Sequence, residues 1–595
     1  MESFNLQQLT SDMNMNWTPV FAATVCGTGA LILFRKWRNN QKIQKKILNA
    51  RRRRDKSLQR AEQAVQQFKI QNPDFESSSI VSLSLSELTG KLQDGSLQPD
   101  AVLHAYMEKA LEVNKNLNCS TEILMESVEQ LTEINTQSKK GLLYGVPISI
   151  KDNVGYKGHD SSCGVVGNLD QPAVMDSVVV TVLKKQGAIP FIKTNIPQGL
   201  LSYECSNPIY GQTLNPCNLK KTPGGSSGGE GALIRGGGSI LGIGTDIGGS
   251  IRIPAAFCGI CGFKPTSKRL SGQEISSCVK GQKSVLSSIG PLARDVESVA
   301  LFMQALLCQD MFTLDPNVPP IPFNQKVYES SEPLRIGYYE NDGFQQPSPS
   351  MARAFRETKA LLESAGHTLV PFPPLRLYEV FFEFAFKGVM ADGGRTLYSH
   401  LKSGPIDSCL RDQAALLRIP GFIKKLLSVV LKRVSPRLSV SLKAGVGVGS
   451  IAELWRQHVN IEEYIDEVIA EWRRLNVDVL LCPMLGPAYN LHYSGRIISA
   501  LSYTSLYNLL NFPAGTVTVS TVTEEDEAQL SQYTGVYGDV WDKLFVKAVK
   551  DGVGLPVSVQ CVSLPWQDEM CLRFMREVER LTAKNSPKLT RKHDD

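Results

Sequence analysis

Helical and strand-like hydrophobic patterns alternate along most of the chain. Apolar positions recur at helical spacing in residues 99–117 and 351–365, whereas 146–150 and 477–481 are short, almost continuous apolar runs. Short apolar runs between turn residues are typical of buried strands, and their alternation with helices is typical of helices packed on a sheet. No internal repeat or long low-complexity linker interrupts residues 77–580, so we predict one large α/β domain there.

The N-terminal part of the chain departs from this pattern. Residues 13–34 carry no charged side chain and are mainly apolar, and as a helix they would be about 30 Å long, enough to cross a bilayer. A dense run of lysine and arginine follows, whereas only acidic side chains precede. Because basic flanks stay in the cytosol, we predict a short luminal N-terminus (1–12) and a transmembrane helix (13–34). A helix buried against the main domain, or used as an oligomer contact, is the alternative.

Composition completes the outline of the chain. Residues 35–76 are basic and polar and predict a connecting helix, and residues 581–595 predict a polar tail. Hydrophobic residues make up 42% and charged residues 21%, which excludes a disordered, collagen-like or coiled-coil protein. The net charge of +6 is too balanced to predict a nucleic-acid partner. The 13 cysteines form no dense framework, so we predict mostly reduced thiols facing the cytosol.

The densest chemical signal is the glycine- and serine-rich segment 224–250, GGSSGGEGALIRGGGSILGIGTDIGGS. Apolar residues interrupt the glycines at short intervals, which is not typical of a flexible linker. Glycine allows consecutive backbone N–H groups to converge on one point, as the stabilisation of an oxyanion requires. The segment lacks a phosphate loop and a complete dinucleotide fingerprint. A nucleophile elbow at 224–228 is not favoured, because Pro223 precedes it where a strand is needed.

Two further features have competing interpretations. Cys258 and Cys261 match a redox or zinc half-site, but no second pair lies at finger spacing, so we interpret them as structural. No histidine lies in a catalytic motif, and the better candidate base is Lys151, at the end of the apolar run GVPISIKD. Burial would lower the pKa of this lysine and make it basic and uncharged. A surface lysine, or one ion-paired with Asp152, remains equally possible from the residues alone.

Three segments together resemble a known family. GVPISIKDN, TPGGSSGGEGAL and GTDIGGSIRIPAAFCGICGFKPT are similar to motifs of the amidase-signature hydrolases, and the resemblance extends over nearly the whole chain after the N-terminal helix. It implies a single large catalytic domain (77–580) with a mixed, twisted central sheet covered by helices. It also implies a Ser-Ser-Lys triad with Lys151 as base, Ser226 as bridging serine and Ser250 as nucleophile.

The resemblance extends to the surroundings of the triad. The backbone N–H groups that it implies for the oxyanion hole are those of Ile247, Gly248, Gly249 and Ser250. Ser227 could be the nucleophile instead, but we interpret Ser227, Asp246 and Arg252 as supporting residues. Leu200, in a segment that resembles the family's substrate-lining loop, is a candidate for a backbone contact with the substrate.

Residues 418–435 predict an amphipathic helix that caps a membrane-facing entrance. The sequence PGFIKKLLSVVLKRV places apolar residues at helical spacing, and lysines fall largely on the opposite side. A core helix with a solvated basic face is the alternative. The predicted cap residues are Phe422, Ile423, Leu426, Leu427, Val430 and Leu431.

The resemblance and the two membrane signals together predict a function. We expect a membrane-bound serine hydrolase that cleaves fatty acid amides, both N-acylethanolamines and primary amides, through an acyl-enzyme without metal or organic cofactor. The expected partners are a lipid amide, the bilayer and a second copy of the chain. The expected location is the endoplasmic reticulum membrane, with the catalytic domain facing the cytosol. An amidase subunit that releases ammonia for a partner, and an inactive membrane scaffold, are the alternatives.

Overall fold

The computed structural model of the protein describes residues 17–135 and 140–583. The strands are β1 Ser120–Ile123, β2 Pro147–Lys151, β3 Ile189–Thr194, β4 Ser206–Asn207, β5 Gly211–Gln212, β6 Leu241–Asp246, β7 Cys261–Lys264, β8 Ser288–Ala293, β9 Arg335–Tyr338, β10 Thr368–Pro371, β11 Val479–Pro483, β12 Ala514–Thr521 and β13 Pro556–Val562.

Helices occupy most of the remaining chain. They are α1 Trp17–Gln71, α2 Ser77–Val81, α3 Leu85–Asp94, α4 Pro99–Leu117, α5 Glu126–Asn135, α6 Val178–Lys185, α7 Gly228–Arg235, α8 Arg252–Cys258, α9 Val296–Leu306, α10 Gln309–Leu314, α11 Gln325–Glu329, α12 Pro349–Ser364, α13 Leu377–Glu379, α14 Lys387–Val389, α15 Arg395–Leu401, α16 Arg411–Arg418, α17 Gly421–Leu431, α18 Pro436–Ala444, α19 Ile451–Arg474, α20 Ser502–Leu509, α21 Glu524–Gln529, α22 Val540–Val549 and α23 Asp568–Ala583.

Eleven strands form one mixed sheet in the order β1-β3-β2-β6-β8-β7-β12-β13-β11-β9-β10, and β4 pairs with β5 separately. Strand β2 is parallel to both of its neighbours, β3 and β6, whereas β8 is antiparallel to β6 and β7. Every residue of β2, β3, β6 and β13 is buried, as is typical of strands in a sheet that is covered on both faces. The expected α/β fold with a mixed central sheet is confirmed.

Local sequence explains where several elements begin. Helix α12 starts where the Ser348 side chain accepts a hydrogen bond from the Met351 backbone, and Pro349 occupies the first turn, where its missing N–H is not needed. In α4, all residues of the predicted helix 99–117 are helical, and Asn118 ends it in a left-handed conformation. The predicted strand 477–481 begins two residues later, at Val479.

Two compact units divide the chain at residue 50. The first, residues 1–49, is described from residue 17 onward and consists of the N-terminal part of α1. Phe21, Ile32 and Leu33 are among its exposed apolar side chains. In the part of the chain that the structure describes, no helix offers an apolar stretch long enough to cross a bilayer. The transmembrane helix expected over 13–34 is therefore not found in the described part of the chain and stays a prediction, and its residues 13–16 lie outside the described residues.

The second unit, residues 50–595, contains the sheet and all the other helices. Its main apolar core lies between the sheet and helices such as α4, α9, α12 and α23, whose inward residues are buried. A second, aromatic-rich core surrounds the π-helical segment Val380–Phe386, where Phe382 packs against Phe344 with ring centroids 5.4 Å apart. This second core lies beside the cavity that leads to the candidate site, because Phe381 and Ala385 belong to both.

Candidate active site

Lys151 lies at the end of β2, inside the sheet. It has no exposed surface, and its Nζ atom lies 2.7 Å from Ser226 Oγ. The same nitrogen donates to Thr245 at the end of β6, to the carbonyl oxygen at 3.1 Å and to Oγ1 at 2.9 Å. Because β2 and β6 are parallel neighbours, their carboxyl ends bring Lys151 and Thr245 to the same edge of the sheet. The alternative of a surface lysine is therefore wrong.

Burial sets the charge state of this amine. Removing the ammonium from water disfavours its charged form and lowers the pKa of Lys151 to about 7, although the negative charge of Asp246 acts in the opposite direction. A lysine with this pKa is partly uncharged at neutral pH. It can therefore accept a proton from a hydroxyl group at hydrogen-bond distance.

Ser226 and Ser250 lie on two adjacent segments. Ser226 is almost fully buried and precedes α7, and the peptide bond between Gly225 and Ser226 is cis. The Ser227 backbone N–H donates to the Ser250 carbonyl oxygen at 3.0 Å, which joins the two segments. Ser250 is partly exposed and borders a cavity together with Gly225 and Ile247. The structure thus places Ser250 on the side of the loop where a substrate could reach it.

A buried ion pair holds the loop that carries Ser250. Asp246 and Arg252 are both inaccessible to water, and their closest ion-pair atoms are 2.9 Å apart. The Asp246 carboxylate also accepts hydrogen bonds from the backbone N–H of Gly249 at 2.7 Å and of Ile251 at 3.0 Å. Burial alone would raise the pKa of Asp246, but the Arg252 guanidinium and the Ile251 N–H hold it well below its usual range. The supporting roles predicted for Asp246 and Arg252 thus have a physical basis.

Two of the expected roles look different in the structure. The Gly249 N–H, expected in the oxyanion hole, already donates to Asp246 Oδ1 at 2.7 Å. The buried Ser227 hydroxyl has no hydrogen-bond partner among the described residues, so Ser227 supports the site through its backbone N–H. Gly249 also requires glycine for another reason, because its φ is +120° and a Cβ atom would lie 2.5 Å from Thr504 Oγ1.

Sequence reasoning missed residues that helix α20 brings to the loop. Thr504 Oγ1 donates to the Gly248 carbonyl at 2.6 Å, and Asn508 Nδ2 donates to Asp246 Oδ1 at 3.0 Å. These residues lie more than 250 positions after the loop and belong to no motif that the sequence singles out. Thr245 could have been identified from the sequence, because it directly precedes the candidate residue Asp246 at the end of β6, the strand parallel to β2.

A cavity of about 440 Å³ leads away from Ser250. Its wall is mainly apolar and includes Leu200, Phe381, Val389 and Leu442. Leu200 follows Gly199 in a sharp turn, has a φ of +62°, and lines the cavity. The backbone contact of Leu200 with the substrate stays a prediction.

Helix α17 forms part of the outer wall of the cavity, and its orientation is unexpected. Phe422, Leu426 and Val430 are 73%, 64% and 66% exposed, whereas Lys424 is only 5% exposed. Ile423, Leu427 and Leu431 are half-buried. The alternative of a core helix with a solvated basic face is wrong, because this helix turns its apolar face outward. Lys424 lies opposite the apolar face, as expected, but on the inner side of the helix, where it is buried.

The cysteine pair and the described acidic and histidine residues offer no metal centre. Cys258 Sγ donates to the Pro223 carbonyl oxygen and Cys261 Sγ to Glu579, so the two thiols have separate partners. Within residues 17–135 and 140–583, no three His, Cys, Asp or Glu side chains cluster as metal ligands would. The structural interpretation of the pair fits these contacts.

Fold and site together define a class of hydrolases in which a buried lysine, at the edge of a mixed sheet, faces a serine. A family model described as "Amidase" matches residues 101–572. The chain therefore belongs to the amidase-signature family and is a hydrolase of amide bonds.

Several known proteins resemble the chain over nearly its full length. Fatty-acid amide hydrolase 1 from Sus scrofa is 51% identical over 95% of this chain and 97% of its own. Fatty acid amide hydrolase 1 from Caenorhabditis elegans is 37% identical over 94% of this chain and 99% of its own. A solved structure of a fatty acid amide hydrolase matches with a TM-score of 0.75 and 25% identity, over 90% of this chain and 94% of that chain.

Proposed function

We propose that the protein hydrolyses fatty acid amides, including N-acylethanolamines and primary amides, to a free fatty acid and an amine or ammonia. The observation that carries this proposal is the buried, weakly basic Lys151 with its Nζ atom 2.7 Å from Ser226 Oγ, beside an apolar cavity that Ser250 borders. The names of the similar proteins point to the same substrate class.

The hydrogen bonds of Lys151 support the first step of the proposed proton relay. Its N–H groups donate to Thr245, which directs the remaining lone pair of the uncharged amine towards Ser226. Lys151 takes the Ser226 proton, while Ser226 takes the proton of Ser250. The Ser250 oxygen then adds to the carbonyl carbon of the amide. Both serine hydroxyls thus act in one relay.

The return of the proton completes the first half of the reaction. The leaving amine is too basic to depart unprotonated, so the proton passes from Lys151 through Ser226 to the amide nitrogen as the C–N bond breaks. Water then hydrolyses the ester between the acyl chain and Ser250 by the same relay in reverse. No metal or organic cofactor is required for either step.

The negative charge that develops on the carbonyl oxygen needs donors on the same loop. We assign this role to the backbone N–H groups of Ile247, Gly248 and Ser250, because that of Gly249 donates to Asp246. The hydrogen bond from Thr504 to the Gly248 carbonyl holds the peptide plane that carries the Gly249 N–H. One preorganised donor to an oxyanion lowers the barrier by roughly 3–4 kcal/mol in other hydrolases.

The lipid substrate is proposed from the cavity and helix α17. The cavity wall is mainly apolar and therefore suits an acyl chain, and the exposed apolar face of α17 suits contact with a membrane surface. Substrate would then enter the cavity from the bilayer. The membrane anchor at 13–34, the homodimer and the location in the endoplasmic reticulum, with the catalytic domain towards the cytosol, stay predictions.

The proposed reaction predicts a covalent intermediate on a single serine. After brief exposure to oleamide, intact-mass measurement should show the protein plus one oleoyl group, and peptide mapping should place that group on Ser250. Ser250→Ala should abolish the adduct, whereas the matched variant Ser227→Ala should retain it. An adduct on Ser227, or none while oleamide is being hydrolysed, would contradict the assignment.

A further inference from the structure

Lys424 is a buried cation without an acidic partner. It lies on the inner face of α17, is only 5% exposed, and belongs to the wall of the cavity that Ser250 borders. Its Nζ atom donates to the Gly445 carbonyl oxygen at 3.0 Å. Among the described residues, no carboxylate lies within ion-pair distance of Lys424, so two of its three donor positions are left for another group.

The other charged groups of the cavity wall do not compensate this cation. Asp412 and Arg496 also line the cavity, but they pair with each other at 3.0 Å and are both more than half exposed. Leu438, Ser441 and Leu442 of α18, the helix that packs against α17, also line the cavity and are uncharged. Burying an unpaired charge is costly, and a ligand that brings a negative charge would offset that cost.

We propose that Lys424 is an anion-binding site for a long-chain carboxylate whose alkyl chain occupies the same cavity. An ammonium with free donors next to a long apolar wall matches a ligand that has one anionic end and a hydrocarbon tail. A free fatty acid is the class of ligand that has this chemistry. That this fatty acid is the product of the enzyme rests on the proposed function, whereas the binding of a fatty acid at Lys424 does not.

The test compares palmitate with 1-hexadecanol, which has an equally long chain without the charge. Both are titrated into the purified full chain by calorimetry, below their aggregation concentrations. Lys424→Met should weaken palmitate binding by roughly tenfold to a hundredfold, as the loss of a charge-assisted hydrogen bond predicts, and should leave 1-hexadecanol binding unchanged. Lys425→Met removes an exposed lysine from the same helix and should change neither affinity.

Two outcomes overturn the proposal. One is equal palmitate affinity in the unchanged protein and in Lys424→Met, and the other is an equal loss for palmitate and 1-hexadecanol, which would mean that the cavity wall is damaged. Lys424→Arg retains the charge and should keep most of the palmitate affinity. If oleamide is not hydrolysed but palmitate binding still depends on Lys424, the proposed function fails and the anion site stands.

Kinetics then separate two sources of the carboxylate. Progress curves measured without vesicles should slow as product accumulates, and this slowing should be lost in Lys424→Met if the product itself binds there. Inhibition that requires palmitate-loaded phosphatidylcholine vesicles, and that is lost in the same variant, would assign the bilayer as the source.

Discussion

Replacement of Lys151 by methionine tests the proton relay directly. The substitution keeps an unbranched chain of similar length inside the sheet but removes the nitrogen that lies 2.7 Å from Ser226 Oγ. Amide and ester substrates should respond differently. Both need a base to remove a serine proton, but only the amide needs the proton returned to its leaving group.

Lys151 would act as a base for both substrates but would return the proton only to the amide, so the expected losses of kcat differ. A positioned acid or base contributes typically a hundredfold to ten-thousandfold, so we expect a loss of roughly ten-thousandfold in kcat for oleamide and roughly a hundredfold for methyl oleate. In the unchanged protein, amide hydrolysis should also rise with pH through about 7, because the pKa of Lys151 is lowered to about 7 by burial and only the uncharged amine is a base.

A second buried lysine provides the matched control. Lys193 lies on the neighbouring strand β3, is 1% exposed, and donates to the backbone carbonyls of Val154 and Asp160 rather than to a serine. Lys193→Met should lower the melting temperature yet affect the amide and the ester equally. The measurement is the ratio of the two kcat values in each variant. Equal losses for both substrates in Lys151→Met would refute the relay.

Three further outcomes can be measured on the purified chain. Asp246→Asn leaves the guanidinium that it pairs with buried and unpaired, and should cost about 3–5 kcal/mol of unfolding free energy in denaturant titration. Partial burial disfavours the His159 imidazolium, but hydrogen bonds and charges of Glu122 and Glu126 outweigh it and raise its pKa to about 9. This stabilisation, on the order of 2 kcal/mol, is fully present below pH 6.5 and lost as pH rises through 9, and His159→Gln should flatten that dependence. Leu426→Ser combined with Val430→Ser should weaken flotation with phosphatidylcholine vesicles, whereas Val174→Ser, at a still more exposed position, should not; unchanged flotation of the double variant would contradict the role of α17.

The local sequence pattern was sufficient to predict helices and strands but not all of their ends. The residues of α4 and the strand-like character of β2 follow from hydrophobic spacing and from capping residues within a few positions of each terminus. The continuity of α1 from Trp17 to Gln71 does not follow in this way, because the apolar and basic parts of its sequence suggested separate segments. Helix formation depends on the backbone and tolerates such a change in composition.

The orientation of α17 shows more clearly what hydrophobic spacing does not predict. Hydrophobic spacing predicts one apolar face but does not say whether that face points to a core, a bilayer or water. In the structure, Phe422 and Leu426 point outward and Lys424 inward, since the neighbouring helix α18 and the segment around Gly445 receive the opposite face. Only the packing of these segments reveals a buried cation in the cavity wall.

By itself, the sequence determined the α/β class, the glycine- and serine-rich loop and the three candidate residues Lys151, Ser226 and Ser250. The tertiary structure decided the surroundings of Lys151: strand order places β2 beside β6, and burial removes the water that would keep the amine charged. It also decided that Thr504 contacts the loop, across a sequence separation of 256 residues. Hydrophobic spacing and residue type act within a few positions of the chain, whereas burial and contacts at such separations depend on how the sheet is assembled.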